Sequence, residues 1–373
     1  MLTWDTLREL AGFRSRAGNA ISLFLDLDPS AAPTLADAET RLRSLLAQAE
    51  KEPGEVRTHE QKVALTTDFT RIRDWWEREF ERDGSRGLAL FASASDDLWR
   101  ILALSQPIND RVTVGPELCL TPLVPLVGRD EGALVAFVGR ERGQVFGLRN
   151  GRLGEIVDES EEQPGQHDQG GWSQARYQRH IEKLVRDHLK AVGGEIDKRV
   201  RRERGPDLVI VAPEELRPEI EGKLSSDARE AIVGWASAQA QASPAELLEV
   251  VRPILDRVYA ERQRAAVDRW REEQGRGGRA AAGWRQTLEA ASDGRVELLL
   301  VDVRANRQAY RCPSCGRAVA DAGACPVDGA TLQLHPDGVD LATHLVLTTG
   351  GAVISRADDD LIAHEGIGAL LRF

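Results

Sequence analysis

The sequence predicts a mixed α/β (α+β) protein of two or three domains. Short apolar, β-forming runs such as residues 21 to 27 and 208 to 211 alternate with long stretches whose apolar residues recur at helical spacing. A length of 373 residues exceeds what one ordinary core organises. With 42% hydrophobic and 29% charged residues, the composition is that of a globular protein.

In chain order, residues 21 to 27 form an apolar strand that ends at Asp28-Pro29. Leu35, Ala38, Leu42, Leu45, Leu46 and Ala49 mark a helix. Leu65, Phe69, Ile72, Trp76 and Phe80 mark a second, charged and amphipathic, over residues 56 to 80. Strands at 87 to 92 and 99 to 104 complete a small α/β domain. Residues 128 to 132 read as a turn-rich junction, followed by a hairpin-like pair, 135 to 138 and 144 to 148, around Arg142-Gly143. A polar loop occupies 158 to 170. Ser173 then suits an N-cap for a helix with Ile181, Leu184, Val185, Leu189, Val192 and Ile196 on one face. Residues 208 to 211 form a strand, and the stretch 236 to 243, poor in apolar bulk before Pro244, sets a boundary. A long polar helix from 244 to about 274, a Gly-Arg-rich loop at 275 to 279 and a strand at 296 to 301 lead into a cysteine cluster.

Three of the four cysteines fall within fourteen residues, so a metal site is the better reading than a disulfide framework. Cys312-Pro-Ser-Cys315 faces Cys325-Pro-Val-Asp328, the layout of a small zinc ribbon in which thiolates and one carboxylate surround a tetrahedral ion. Asp328 occupies the fourth position and His335 is the other candidate. Gly316 and Gly329 follow the two knuckles and suit tight turns. With no ligand position left open, the expected zinc is structural. Cys119 stands alone in an apolar context.

The net charge of −11 opposes uniform wrapping by nucleic acid, so RNA contact is expected only locally. No apolar run reaches the roughly 18 to 20 residues of a membrane helix, and the N-terminus lacks a signal-peptide core, so the expected location is the cytoplasm. Neither a phosphate-binding P-loop nor a dinucleotide fingerprint is present, which leaves nucleotide hydrolysis without support.

Gly170-Gly171-Trp172 opens the run GGWSQARYQRHIEKL. This run resembles the Gly-Gly-Gln loop of archaeal and eukaryotic class-1 peptide-chain release factors. Gly170, Gly171, Ser173, Arg176, Tyr177 and Arg179 fall in matching places, and Trp172 stands where that family has its catalytic glutamine. The stretch from Pro107 through Cys119, with 122 to 126 after it, resembles the end of the family's N-terminal domain. The close, Glu365-Gly366-Ile367-Gly368-Ala369-Leu370-Leu371-Arg372-Phe373, is similar to the family's Gly-Gly-Ile-Gly-x-Ile-Leu-Arg-Tyr ending.

The resemblance implies a three-domain release-factor and Pelota architecture, in a bacterial branch whose relatives include Balon-like hibernation factors. It implies an N-terminal domain over 1 to 128, a middle domain carrying the Gly-Gly-Trp loop over 129 to 243, and a C-terminal domain over 244 to 373 with the ribbon inserted at about 310 to 336. In the family two glycines bring backbone close to the peptidyl-tRNA ester, and the next amide meets developing charge. An indole offers one donor and no acceptor, so the glutamine's role in positioning water does not carry over to Trp172. Trp172 either stacks on a nucleobase, worth roughly 1 to 3 kcal/mol, or sits as an ordinary loop aromatic. Gln174 needs a changed register to take over, so the loop candidates are Gly170, Gly171, Trp172 and Gln174.

Arg176, Arg179, Lys183, Arg186 and Lys190 recur every three or four residues along one helix face. They form either a phosphate-tracking stripe or a solvated face, and the resemblance favours RNA. The family's Asn-Ile-Lys-Ser and Tyr-x-Cys motifs are absent from residues 28 to 92, so stop-codon reading is not carried over. What the resemblance implies is a translation factor that occupies the ribosomal A site in hibernation or rescue. It would meet ribosomal RNA and P-site tRNA, with elongation factor Tu or another translational GTPase docking on its C-terminal domain, and it implies neither membrane nor DNA as a partner. A codon-independent peptidyl-tRNA hydrolase and a scaffold for another RNA or protein are the alternatives.

Overall fold

In the computed structural model, residues 2 to 16, 19 to 51, 58 to 129, 132 to 159, 171 to 203 and 205 to 373 are described, with 171 to 181 described by backbone alone. The chain divides into two compact units, one formed by Met1–Val127 with Arg262–Phe373 and the other by Gly128–Glu261.

The first part of the chain carries helix α1 (Trp4–Ala11), strand β1 (Ala20–Asp26), helices α2 (Leu35–Lys51) and α3 (His59–Arg78), and strands β2 (Gly87–Ser93), β3 (Leu98–Leu104) and β4 (Arg111–Gly115). The strands form an antiparallel sheet in the order β3-β2-β1-β4. β1 is buried from Ala20 to Leu25 because both faces of the sheet are covered. Ile21, Leu23 and Leu25 meet Leu42, Leu46, Phe69 and Ile72 on one side. Phe24 and Phe91 meet edge to face on the other, at 5.9 Å between ring centroids. α3 starts at His59, later than the sequence pattern suggests, because Thr58 and Gln61 close a capping box there. The sequence pattern does not disclose β4: it is a half-exposed edge strand of only five residues, too short for its alternation to stand out.

The second unit holds β5 (Leu134–Val138), β6 (Gly143–Arg149), β7 (Arg152–Asp158), α4 (Gly171–Arg202), β8 (Leu208–Val211), α5 (Arg217–Glu221), α6 (Ser226–Ala231), β9 (Ile232–Ala236) and the start of α7 (Pro244–Gly275). Its sheet runs β7-β6-β5-β8-β9, antiparallel through the first three strands and parallel from β5 to β9. Val185, Leu189, Val192, Ile196 and Val200 of α4 cover one face, and Leu247 and Val251 of α7 cover the other. Gly143 permits this approach, since a Cβ there would lie 2.2 Å from the Val192 side chain. β7 and β9 are further strands that the sequence pattern does not disclose.

From α7 the chain returns to the first unit with β10 (Ala280–Ala282), α8 (Gly283–Ser292), β11 (Val296–Asp302), β12 (Ala309–Arg311), β13 (Ala318–Val319), β14 (Gln333–His335), α9 (Gly338–Thr348), β15 (Ala352–Arg356), α10 (Asp359–Ile362) and β16 (Ile367–Leu371). One sheet runs β10-β16-β11-β15, and a small antiparallel sheet, β13-β12-β14, forms the ribbon. Gly368 lies against the fully buried Trp270, whose indole N–H donates to the Ala281 carbonyl at 2.9 Å. A Cβ on Gly368 would sit 2.7 Å from that ring, which gives the glycine of the closing motif a packing reason.

The two parts of the first unit share one core. Leu118, Cys119, Leu120 and Leu123, at the end of the N-terminal part, are buried with α8 and α9. Asp340 of α9 accepts from the Leu120 N–H at 2.9 Å, the Thr121 N–H at 3.1 Å and the Thr121 hydroxyl at 2.9 Å. His344, one turn on, bonds the Leu118 carbonyl. Ser22 of β1 accepts from the Cys119 N–H at 2.9 Å. The segment just before residue 128 is therefore held from both sides.

Candidate functional site

The cysteine-bearing ribbon is built from two tight turns. In the first, the Gly316 N–H donates to the Cys312 carbonyl at 3.0 Å, with Gly316 at φ +78°, and in the second the Gly329 N–H donates to the Cys325 carbonyl at 2.9 Å, with Gly329 at φ +73°. These turns place the Sγ atoms of Cys312, Cys315 and Cys325 and a carboxylate oxygen of Asp328 within 4.8 Å of one another. The Cys315 and Cys325 sulfurs are 3.5 Å apart, and Cys312 Sγ lies 3.4 Å from Asp328. A tetrahedral zinc with metal–sulfur and metal–oxygen bonds of the usual length has ligand edges of roughly 3.5 to 3.8 Å, so the donor set fits such an ion. His335 does not join this group among the described residues.

The charge state of the cluster points the same way. Backbone donation from Cys315 holds the Cys312 thiol below its ordinary value. Asp328 is also held low, first by the Ala330 N–H. Cys315 has the Arg317 backbone amide favouring its thiolate, but loss of solvent and the neighbouring Cys325 and Cys312 push it up to about 11. Several anions crowded at these separations repel one another, and a divalent cation removes that conflict. The cluster can therefore hold a metal ion. Cys119 has no such company: burial pushes its thiol well up, with Asp340 adding to the effect.

The second candidate is α4. Gly171, Trp172 and Gln174 lie within the helix by backbone, so Ser173 sits inside its first turn and does not cap it. Gly170 lies outside the described residues, as does most of the expected polar loop, and the side chains of Trp172, Gln174, Arg176 and Arg179 are likewise outside the description. Lys183, Arg186 and Lys190 are exposed, opposite the buried face. Glu182, beside Lys183, and Asp187, beside Arg186, are exposed as well, so the described part of the stripe is of mixed charge. His188 is buried on the inner side, and among the described residues neither of its ring nitrogens is hydrogen-bonded.

Sequence reasoning missed the groups that tie the ribbon to its surroundings. Arg311, directly before Cys312, donates from Nε to the Gly316 carbonyl at 3.3 Å and pairs through Nη1 with Glu117. Arg14 pairs with the same carboxylate oxygen at 3.0 Å. On the opposite side Arg317 pairs with Asp293 at 2.7 Å and the Ser292 hydroxyl accepts from the Ala318 N–H at 2.9 Å, seating the ribbon on α8. Charged residues far apart in sequence carry no periodic signal, which is why these pairs could not be read in advance.

A mixed α/β fold with several sheets, a cysteine cluster near the C-terminus and a long helix that begins at Gly171 accompany sequence matches to release-factor and Pelota-like proteins. Residues 119–254 match the family model of bacterial archaeo-eukaryotic release factor family 10. The chain is similar to peptide chain release factor subunit 1 of Archaeoglobus fulgidus, with 24% identity over 330 residues that cover 84% of this chain and 78% of the relative. Among solved structures it is similar to A. fulgidus Pelota, at 17% identity, 79% and 81% coverage and a TM-score of 0.35. It is also similar to the archaeal translation termination factor aRF1, at 16% identity, 99% and 96% coverage and a TM-score of 0.26. The likeness to release factors rests on the sequence matches. Among the described residues no helix is long and apolar enough to cross a membrane.

Proposed function

We propose that this chain is a ribosome-binding translation factor that occupies the A site without reading a codon, in hibernation or in rescue of stalled ribosomes. The observation that carries the reading is the family match over 119–254, which includes the Gly170-Gly171 motif and all of α4 while Trp172 replaces the glutamine. On this reading the chain works as three domains, 1 to 128, 129 to 243 and 244 to 373, acting in the cytoplasm. Trp172, Arg176, Arg179, Lys183, Arg186 and Lys190 face ribosomal RNA or P-site tRNA. The C-terminal domain meets elongation factor Tu or another translational GTPase, and Cys312, Cys315, Cys325 and Asp328 hold a structural zinc. Neutralising several phosphates makes such binding steeply salt-dependent.

The test is co-sedimentation with vacant bacterial 70S ribosomes over a salt series, wild type beside Lys183→Glu/Arg186→Glu/Lys190→Glu. Salt-sensitive pelleting that the variant loses is the expected result. Failure of the wild type to pellet at low salt, with elongation factor Tu and GTP supplied, would sink the reading. Retention of Gly170-Gly171 favours one second reading, codon-independent peptidyl-tRNA hydrolysis. Peptide release by the wild type, abolished by Gly171→Ala, would establish it; no release until Trp172→Gln is introduced would leave the binding factor.

A further inference from the structure

Among the described residues, the cluster of Arg14, Glu117 and Arg311 wires a metal knuckle directly into another part of the fold. Arg311 belongs at once to β12, to the first knuckle through the Gly316 carbonyl, and to the N-terminal part through Glu117. Both members of that pair are poorly exposed, Glu117 at 12% and Arg311 at 24%, so the pair is not a fluctuating surface contact. Burial raises the Glu117 carboxyl, while Arg311, His344 and Arg14 outweigh it and hold the group below its ordinary value.

Glu117 opens the stretch whose backbone is held at every step. The Leu118 carbonyl goes to His344, the Cys119 N–H to Ser22, and the Leu120 and Thr121 N–H groups to Asp340. If the first knuckle loses its turn, Arg311 loses the Gly316 carbonyl that orients its guanidinium. Glu117 is then left buried with one exposed partner, Arg14, which is 57% accessible. A buried carboxylate that loses the better-buried of its two arginine partners is costly to keep in place, so the segment that carries it has reason to move.

We infer that metal loading of the ribbon is coupled, through the Arg311–Glu117 pair, to the anchoring of residues 117 to 121 and so to docking of the N-terminal part on the C-terminal part. The inference rests on the reading of the cluster as a metal site. Coupling of this kind is reciprocal: whatever factor the metal contributes to anchoring, loss of the Glu117 charge must subtract from metal affinity.

The experiment uses the full chain and Co²⁺, whose thiolate absorption reports loading, together with amide hydrogen exchange of the loaded and chelated wild type. Chelation is expected to speed exchange at Cys119, Leu120 and Thr121 as well as within the ribbon. Glu117→Gln is expected to weaken Co²⁺ binding by about fivefold or more, while Arg317→Gln, on the side facing α8, leaves exchange at 119 to 121 unchanged. Exchange changes confined to residues 311 to 335, with Co²⁺ affinity of Glu117→Gln equal to wild type, would overturn the coupling and spare the metal site. Absence of any Co²⁺–thiolate absorption in the wild type would overturn both. The chelation arm needs no substitution, so it decides the matter even if Glu117→Gln folds poorly.

Discussion

The C-terminal lobe and the outer face of α4 both carry motifs, yet they hold their residues in opposite ways. In the lobe each motif residue has an internal role: Gly316 and Gly329 turn the knuckles, Gly368 admits the Trp270 ring, and the ligand atoms lie at metal-binding separations. On α4, Lys183, Arg186 and Lys190 point away from the core and make no ion pair among the described residues. A motif of the first kind is explained by the fold. One of the second kind is not.

Substitutions should separate the two kinds, and the largest effect belongs to the ribbon. Cys312 is buried at 1% exposure and lies 3.4 Å from Asp328 and from the Cys315 amide, so Cys312→Ser is expected to abolish stoichiometric metal binding. Because metal-binding free energy is folding free energy in such small units, the ribbon should become protease-sensitive while α4 stays protected. Metal content by mass spectrometry under native conditions, with limited proteolysis beside it, checks both parts. Full metal content in the variant would mean that Cys312 is no ligand.

Next in size is Gly368→Ala. The new Cβ would meet the Trp270 ring at 2.7 Å, and that ring is fully buried and hydrogen-bonded, so it has little room to yield. The expected cost is near the top of the roughly 1 to 3 kcal/mol typical of overpacking. It would be read as a lower unfolding midpoint followed by tryptophan fluorescence. A neutral result would show that the lobe is looser than its contacts imply.

Asp302 tests the same lobe by pH. It is fully buried, accepts from Arg304 Nε at 2.9 Å and Nη2 at 2.8 Å, and takes the Asp358 N–H at 2.6 Å. The Arg304 guanidinium, foremost, lowers its carboxyl from 3.8 to about 2. A lowered value means that the stabilisation is complete above the unfolded value and disappears as pH falls from 3.8 through about 2. Asp302→Asn should cost about 1.5 kcal/mol at neutral pH and flatten the acid limb of stability in that window. An unchanged acid limb, measured by urea unfolding between pH 2 and 5, would remove Asp302 from the account.

Legibility in the sequence followed the range of the interactions. β8 was readable to the residue because four consecutive apolar side chains fill a central strand, and the cysteine cluster because its four side chains lie within seventeen residues from Cys312 to Asp328. β4 and β9, half-exposed edge strands, carry too little apolar contrast to stand out. Glu117 and Asp340 were invisible because their roles depend on partners, Arg311 and Thr121, that lie 194 and 219 residues away. The Gly-Gly motif is legible by resemblance alone, since no local packing rule singles out Trp172.

The smallest effect expected on stability is the one that most sharpens the contrast. Lys183→Glu/Arg186→Glu/Lys190→Glu alters exposed groups on a helix whose opposite face, from Val185 to Val200, supplies its anchorage. Reversal at Lys183 puts an acid four residues before Asp187, and reversal at Arg186 puts another four residues after Glu182. Each such like-charge neighbour costs about 0.2 to 0.5 kcal/mol. Counting also 183/186, 186/190 and 187/190, five such pairs sum to about 1 to 2.5 kcal/mol, the lower end applying where salt screens an exposed face. This stays below a single overpacked glycine near the top of its range in the C-terminal lobe. Thermal unfolding of the triple variant should therefore overlay that of wild type within a few degrees, while its salt-dependent ribosome pelleting collapses. A large loss of stability instead would mean that the stripe belongs to the fold, and the difference between the two regions would vanish.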